Sequence, residues 1–333
     1  MHRLLHLEEA AGPPVVSTGH LPEAGTVAGL VRAAWDRYAP IEEGKVADYI
    51  PVLAEASPGW FGLCVAGVDG VLHEAGDSER AFSIQSISKP FVFALVCQAL
   101  GGGRARKSVG VNATGLPFNS VMAIELNAER TMNPMVNAGA IATTSLAPGA
   151  SHAEKWRFLL EGLSRFAGRD LAMDETVYAS EAATNQRNQG IARLLKGYDR
   201  MYCDPDEATD LYTRQCAVRV TAHDLAVMGA TLADGGVNPI TRERVLDPDR
   251  CARVLAVMAT AGLYEQSGDW LYEVGLPSKS GVSGGLVTVV PGKGGLGIFS
   301  PPLDEAGNSV RGQLATRFLS DRLGLNLFAS APA

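Results

Sequence analysis

Residues Ser86 to Leu100 constrain this chain more than any other stretch. Read as a helix, Ser-Ile-Ser-Lys-Pro-Phe-Val-Phe-Ala-Leu-Val-Cys-Gln-Ala-Leu is apolar on nearly every side, so it needs protein around its whole circumference. Pro90 is tolerated in a first turn, and the glycines 101 to 103 end the helix. Phe91 to Leu100 is the longest apolar stretch and only about half of what a bilayer crossing requires, so the helix belongs to the core of a water-soluble protein. With 333 residues the chain can build such a core, as one large domain or two packed lobes. At 46% hydrophobic and 20% charged it is neither disordered, nor collagen-like, nor a coiled coil.

The charge balance narrows the partners. A net charge of −7 from 29 basic and 36 acidic side chains, without a long basic run, argues against nucleic acid and against a membrane surface. Met1-His2-Arg3 leads into Leu-Leu-His-Leu and two glutamates, which leaves no apolar signal core, and a cytoplasmic location is expected. Cys64, Cys97, Cys203, Cys216 and Cys251 are odd in number and never spaced as CxxC, so they read as free, buried thiols. The histidines include one close pair, His2 and His6, and neither a metal site nor a cofactor is expected.

Strand and helix signals are segregated along the chain. Val27, Leu30, Val31, Ala34 and Tyr38 form one helical face that Pro40 ends. Trp60 to Gly67 predicts a strand, and Val68-Asp69-Gly70 predicts the turn of a hairpin, so an antiparallel sheet begins there. The centre is helical: Ser151 to Glu154 reads as a capping box before Trp156, Leu159, Leu160, Leu163 and Phe166. Thr221 with Asp224 repeats the device, with Gly235 as its stop, and Asp247-Pro248 opens a helix that Gly262 closes. A polar segment, Ala179 to Gln189, lies between them. After residue 265, Trp270 to Val274, Leu286 to Val290 and Leu296 to Phe299 are rich in strand formers, the last two joined across Pro291 to Gly295. A final helix spans about Val310 to Leu323, with Leu314, Phe318 and Leu319 on one face. Strands, then helices, then strands predict an α+β fold. Residues 1–20, with Gly12-Pro13-Pro14, are expected to be a mobile extension. Residues 21–115 and 263–328 are expected to form an α/β lobe around a central antiparallel sheet, and 116–262 an inserted all-helical lobe, with an active site between the two.

Ser86 and Lys89 stand three residues apart at a helix start and can share a face. A serine needs a group to take its proton, and a lysine in an apolar surround can do so, because desolvation disfavours the ammonium. Alone the pair is a weak signal, expected by chance roughly 0.4 times in such a chain. Lys279-Ser280-Gly281, later and beside a strand, sharpens it: SxxK followed by K-[ST]-G marks serine acylases of the penicillin-recognising type. A strand there can present the backbone N–H of Val282 opposite that of Ser86, as an oxyanion hole requires.

Longer stretches then carry a resemblance. Gly44-Lys45-Val46-Ala47-Asp48-Tyr49-Ile50-Pro51, Gln85 to Lys89, Asn133 to Ile141, Ser180-Glu181 with Arg187-Asn188, Leu276 to Val282, and Ser300 to Asp304 with Gly307-Asn308 resemble the serine-dependent glutaminases. The match runs from about Gly44 to Asn308. The resemblance implies a β-lactamase/transpeptidase-like fold, an antiparallel sheet flanked by helices with the helical lobe inserted. It implies hydrolysis of L-glutamine to L-glutamate and ammonia, and a homo-oligomer, dimer or tetramer. It further implies that Ser86 is the nucleophile and Lys89 its proton partner, with Tyr264 a possible relay. Asn137, Glu181 and Asn188 would hold the amino-acid end of the substrate, with Tyr49 on its carboxylate, Tyr212 and Tyr264 lining the reacting centre, and Val282 lending its N–H. The residue types make sense unaided, since an α-amino group wants a carboxylate and an α-carboxylate wants amide and phenol donors. The chain departs from the usual pattern at Gly110 to Gly115 and at Thr184-Asn185-Gln186 and Gln189, which bears on loop packing and substrate tolerance. Two alternatives stay open here. A penicillin-recognising hydrolase would share both short motifs but has no use for an amino-acid clamp, and a non-catalytic glutamine-binding protein would not need both Ser86 and Lys89.

Overall fold

The computed structural model describes residues 19–330, so most of the expected N-terminal extension, residues 1–18, lies outside the described residues. The first amphipathic face folds as α1 (Ala24–Tyr38), burying Val27, Val31, Ala34 and Tyr38. The hairpin follows as β1 (Gly62–Gly67) and β2 (Leu72–Gly76), paired antiparallel with Cys64 opposite Glu74. A two-residue strand, β3 (Phe82–Ser83), leads into a 3₁₀ turn, Gln85–Ile87, and then α2 (Ser88–Leu100). The helix apolar on every side is buried continuously from Ser88 to Cys97. Gly101 ends it with φ +84°, and the chain restarts at once as α3 (Gly102–Val109), a helix the glycine triplet concealed.

The middle of the chain is helical, in the order α4 (Met122–Leu126), α5 (Asn137–Ser145), α6 (His152–Ala167), α7 (Glu175–Ala182), α8 (Gln186–Gly197) and α9 (Pro205–Cys216). The polar segment between 179 and 189 is therefore the end of one helix and the start of the next. Ser151 caps α6 by accepting the N–H of Glu154, but the Glu154 carboxylate accepts from Ala150, not Ser151, so only half of the expected box forms. At Thr221 and Asp224 both halves are present. There β4 (Arg219–Val220) pairs with β3 and runs into α10 (Ala222–Ala233), followed by α11 (Pro248–Ala261), which stops at Gly262.

Trp270 to Val274, expected to be a strand, is instead part of α12 (Ser267–Glu273) and its C-cap. Trp270 and Val274 are buried while Tyr272 is 85% exposed, which is helical i, i+4 spacing; a strand would have put all three on one face. The indole N–H of Trp270 donates to Leu276 O and Ser278 Oγ, both at 3.0 Å, so tertiary packing overrides β-propensity. The chain closes with β5 (Ser278–Ser280), β6 (Gly285–Val290), β7 (Gly294–Phe299) and α13 (Val310–Leu323), the last as expected.

The main sheet is antiparallel in the order β2-β1-β7-β6-β5, so strands from both ends of the chain share it. One face is covered by α1 and α13, through Val31, Phe61, Leu63, Ile298 and Leu319 among others. The other receives α10, with Cys64 and Ala66 against Ala226, Val227 and Ala230. A side chain at Gly295 would come within 2.3 Å of Ala226 O, and one at Gly297 within 2.0 Å of Ala222 O. These glycines let α10 lie directly on the strand backbone. Helix α2 packs with α5, α6 and α11 in a large apolar cluster, and the turn before it rests against β5, β6 and the last helix of the middle, α9.

Candidate active site

Ser86 sits in the 3₁₀ turn and is 7% exposed. Gln85 before it has φ +49°, a left-handed conformation costly for a residue with a side chain, and Tyr264 across the site has φ +52°. The turn is pinned from below. Ser88 Oγ donates to Gln85 O at 2.8 Å, Gln215 Nε2 donates to Ser88 Oγ at 3.2 Å, and Thr144 Oγ1 donates to Gln215 Oε1 at 2.8 Å. This network joins α2, α5 and α9 beneath the serine without using its hydroxyl.

Lys89, one turn further on, is 1% exposed. Its ammonium donates to Asn137 Oδ1 at 2.7 Å and Met135 O at 3.4 Å, and lies 5.8 and 5.9 Å from the ring centres of Phe118 and Tyr212. Burial lowers its pKa to about 8, against the opposing pull of Cys216 and Glu181. Asn137 opens α5, its N–H anchored on Phe118 O at 2.8 Å. Its amide also donates to Asn188 Oδ1 of α8 at 3.1 Å and accepts from Tyr212 OH of α9 at 3.3 Å. Four site residues from three helices and the α2 start thus meet in one hydrogen-bonded cluster.

Glu181 lies near the end of α7, also 7% exposed. It accepts from Gln85 Nε2 at 3.3 Å, and that amide also reaches Ser83 Oγ at 3.3 Å. Burial raises the carboxyl pKa to about 7, partly offset by the Gln85 hydrogen bond and Lys89. Tyr264 hydrogen-bonds with Ser86 and donates to Ser280 O at 3.2 Å; burial pushes its phenol pKa up, and the bond with Ser86 opposes this. Val282 packs against Tyr264 and Ile50. The β5–β6 turn is close to the nucleophile's own turn: a side chain on Gly281 would press on Ile87 and Ile84 O at about 3 Å. Tyr49 is 56% exposed as a residue, yet protein crowds its hydroxyl and raises that group's pKa well above the usual phenol value, with Tyr264 and Glu181 adding to the effect. The 3₁₀ segment after it, Pro51–Glu55, is tied to α7 where Val52 N–H donates to Ser180 Oγ at 3.4 Å.

Three neighbours were not named as site residues from the sequence. Gln85 bridges the nucleophile turn to Glu181. Lys279 is fully buried, donates to Ser280 O at 2.7 Å and stands 4.3 Å from the Tyr264 ring centre; burial, then the charge of Lys89, holds its pKa well below that of a free lysine. Cys216 is a buried thiol whose pKa is raised by burial and then by Glu181. Gln85 and Lys279 both stand inside motifs read from the sequence; nothing in the sequence marks Cys216.

A family model for glutaminase matches residues 44–328. The chain belongs to the glutaminase family. Relatives of the glutaminase are similar over nearly their whole length. It is 60% identical to glutaminase 2 of Yersinia pestis over 95% of this chain and 93% of that protein. It is 49% identical to a glutaminase of Colwellia psychrerythraea over 92% and 99%. Among solved structures, a probable glutaminase, ybaS, superposes with a TM-score of 0.91 at 44% identity, covering 93% of this chain and all of that one. A probable glutaminase from Bacillus subtilis complexed with 6-diazo-5-oxo-L-norleucine superposes with a TM-score of 0.81 at 33% identity, covering 94% and 99%. The fold is the α+β, β-lactamase-like one of that family, and its enzymes hydrolyse the side-chain amide of glutamine, which decides against a penicillin-recognising hydrolase. No helix among the described residues is long and apolar enough to cross a membrane.

Proposed function

We propose that this glutaminase hydrolyses L-glutamine through a γ-glutamyl ester on Ser86. The Ser86 oxygen attacks the side-chain amide carbon, and its proton passes to Lys89, directly or through Tyr264. The N–H groups of Ser86 and Val282 stabilise the tetrahedral oxyanion. The C–N bond breaks as the same proton is delivered to nitrogen, and ammonia leaves. Water then attacks the ester carbon, giving up a proton through the same groups to the departing Ser86 oxygen, and L-glutamate is released. Glu181 receives the α-ammonium; Asn137, Asn188 and Tyr49 serve the α-carboxylate end, and Tyr212 and Tyr264 line the reacting centre. The site would lie between an α/β lobe, 21–115 with 263–328, and a helical lobe, 116–262, with α2 and α10 as the helices that join them. We further infer a cytoplasmic homo-oligomer, dimer or tetramer.

The observation that carries the reading is Glu181. It is a buried carboxyl beside the nucleophile turn whose hydrogen bond comes from a neutral amide, with no ion-pair partner among the described residues. A buried carboxylate without a cation is costly, and the ammonium of an amino acid removes that cost. Glu181→Gln keeps the shape and removes the charge. Loss of a buried charged partner, about 2–5 kcal/mol, predicts a fall in kcat/KM for glutamine of at least about 30-fold, mainly through KM. In a coupled assay of ammonia release, asparagine, one methylene shorter, is expected to react roughly 10- to 200-fold more slowly than glutamine. Equal rates on both amides, or an unchanged KM in Glu181→Gln, would overturn the assignment of this clamp.

A further inference from the structure

We propose that Cys64, Glu74, Glu79 and His223 form a binding site for a divalent transition-metal ion of the zinc class, built on the α10 side of the sheet from residues that take no part in glutamine hydrolysis. Cys64 and Glu74 are direct cross-strand partners on β1 and β2, so their side chains leave the sheet on the same face. That face is the one α10 covers, where Cys64 packs with Ala226, Val227 and Ala230. His223 is the second residue of α10, and its backbone N–H donates to Ser78 O at 3.2 Å, which fastens the helix start to the loop carrying Glu79. Its Nδ1 lies 2.9 Å from Glu74 Oε1 and 3.1 Å from Glu79 Oε1. The Cys64 sulfur, a Glu74 oxygen and a His223 ring nitrogen all lie within 4.8 Å of one another.

Around a tetrahedral zinc ion, with bonds of about 2.0–2.3 Å, ligand atoms stand roughly 3.3–3.7 Å apart, so the Cys64 sulfur has to draw in by at most about an ångström while the Glu74 and Glu79 oxygens, 2.9 and 3.1 Å from His223 Nδ1, move slightly apart. The donor set is one sulfur, one imidazole nitrogen and two carboxylates. With the thiol ionised on binding, Cys64, Glu74 and Glu79 present three negative charges beside the neutral imidazole, a set that attracts a dication. The thiol selects zinc-class ions over calcium and magnesium, which prefer all-oxygen shells. Cys64 is 1% exposed while Glu74 and His223 reach the surface, so the sulfur forms the floor of a site open from above. Binding replaces the Cys64 S–H bond by a metal–sulfur bond and releases that proton to solvent. Cys64, Glu74 and Glu79 come from one hairpin and the loop after it, and His223 from a helix start far along the chain, which is why no metal-binding spacing is visible in the sequence.

Cobalt(II), as a spectroscopic stand-in for zinc, tests the site in the full-length protein after chelator treatment. The expected result is a thiolate-to-cobalt charge-transfer absorption that saturates at one equivalent, is bleached by one equivalent of zinc, and is lost in Cys64→Ser. Glu74→Gln, which leaves the thiol in place, is expected to weaken zinc binding at least tenfold, and zinc is expected to raise the thermal midpoint of the unaltered protein more than that of this variant. If Cys64→Ser folds poorly, Glu74→Gln still decides. Absence of the absorption overturns the proposal. So does its survival in Cys64→Ser, or equal zinc affinity in the unaltered protein and Glu74→Gln, which would assign the metal to other groups such as His2 and His6.

Discussion

Ser86→Ala is expected to abolish glutamine turnover and leave the fold in place. Without the hydroxyl no γ-glutamyl ester can form, and the remaining oxyanion donors and binding groups cannot replace it. Losses on removing an enzyme nucleophile run to roughly four to six orders of magnitude in kcat. The structural effect is small, because the hydrogen bonds that hold the turn run through Ser88, Gln215 and Thr144 and not through the Ser86 hydroxyl. Tyr264 keeps its bond to Ser280 O. One hydrogen bond is lost, about 1 kcal/mol, which moves the thermal midpoint of a chain this size by only a few degrees. Ammonia release measured against a circular dichroism melt reads both quantities, and activity retained at a tenth of normal would sink the nucleophile assignment.

The second large effect is expected at Lys89. Its pKa of about 8 means that the neutral amine, the form able to accept the serine proton, is the minority species at pH 7. The deprotonated form is the active one, so the limb lies on the acid side and kcat/KM rises with pH through about 8. Glu181, at about 7, adds a limb of the same sign, because its carboxylate form receives the ammonium. The profile is therefore expected to fall about tenfold per pH unit between 8 and 7, and more steeply below 7. Lys89→Arg keeps a cation but cannot give up its proton, and a kcat loss of roughly a thousandfold or more is expected. Lys89→Met separates chemistry from stability. A lysine whose folded pKa is lowered opposes folding at every pH below that value, and the penalty disappears as pH rises toward that of the free side chain. Removing it at pH 7 relieves at most about 3 kcal/mol, less what Asn137 loses as a partner. The expected outcome is an inactive protein with a higher thermal midpoint; one that is inactive and less stable would mean the ammonium is held by compensating contacts.

Legibility followed the range of the physics. Hairpin, caps and amphipathic faces depend on neighbours within a few residues, so α1, β1, the Thr221 cap, the Asp247-Pro248 helix start and α13 could be read directly. Trp270 to Val274 has the composition of a strand but folds as a helix, because the indole's bonds to Leu276 and Ser278 come from outside the segment. For the site, SxxK and K-S-G gave the serine and lysine on chemical grounds, and the family resemblance supplied Asn137, Glu181, Asn188, Tyr49, Tyr212, Tyr264 and Val282.

The sequence by itself determined that the helix read over Ser86 to Leu100 would be buried, that strands from both ends would flank a helical middle, and that a serine and a lysine would share a helix start. Local spacing and hydrophobicity suffice for that. Only the tertiary structure decided that Asn137, Asn188 and Tyr212 meet at the Lys89 ammonium, that Gln85 bridges to Glu181, and that Lys279 lies beneath Tyr264. The same holds for Cys64, Glu74, Glu79 and His223. Those meetings, and the pKa values of about 8 and 7 that follow, depend on which surfaces exclude water, and that is settled when the helices pack on one another and on the sheet.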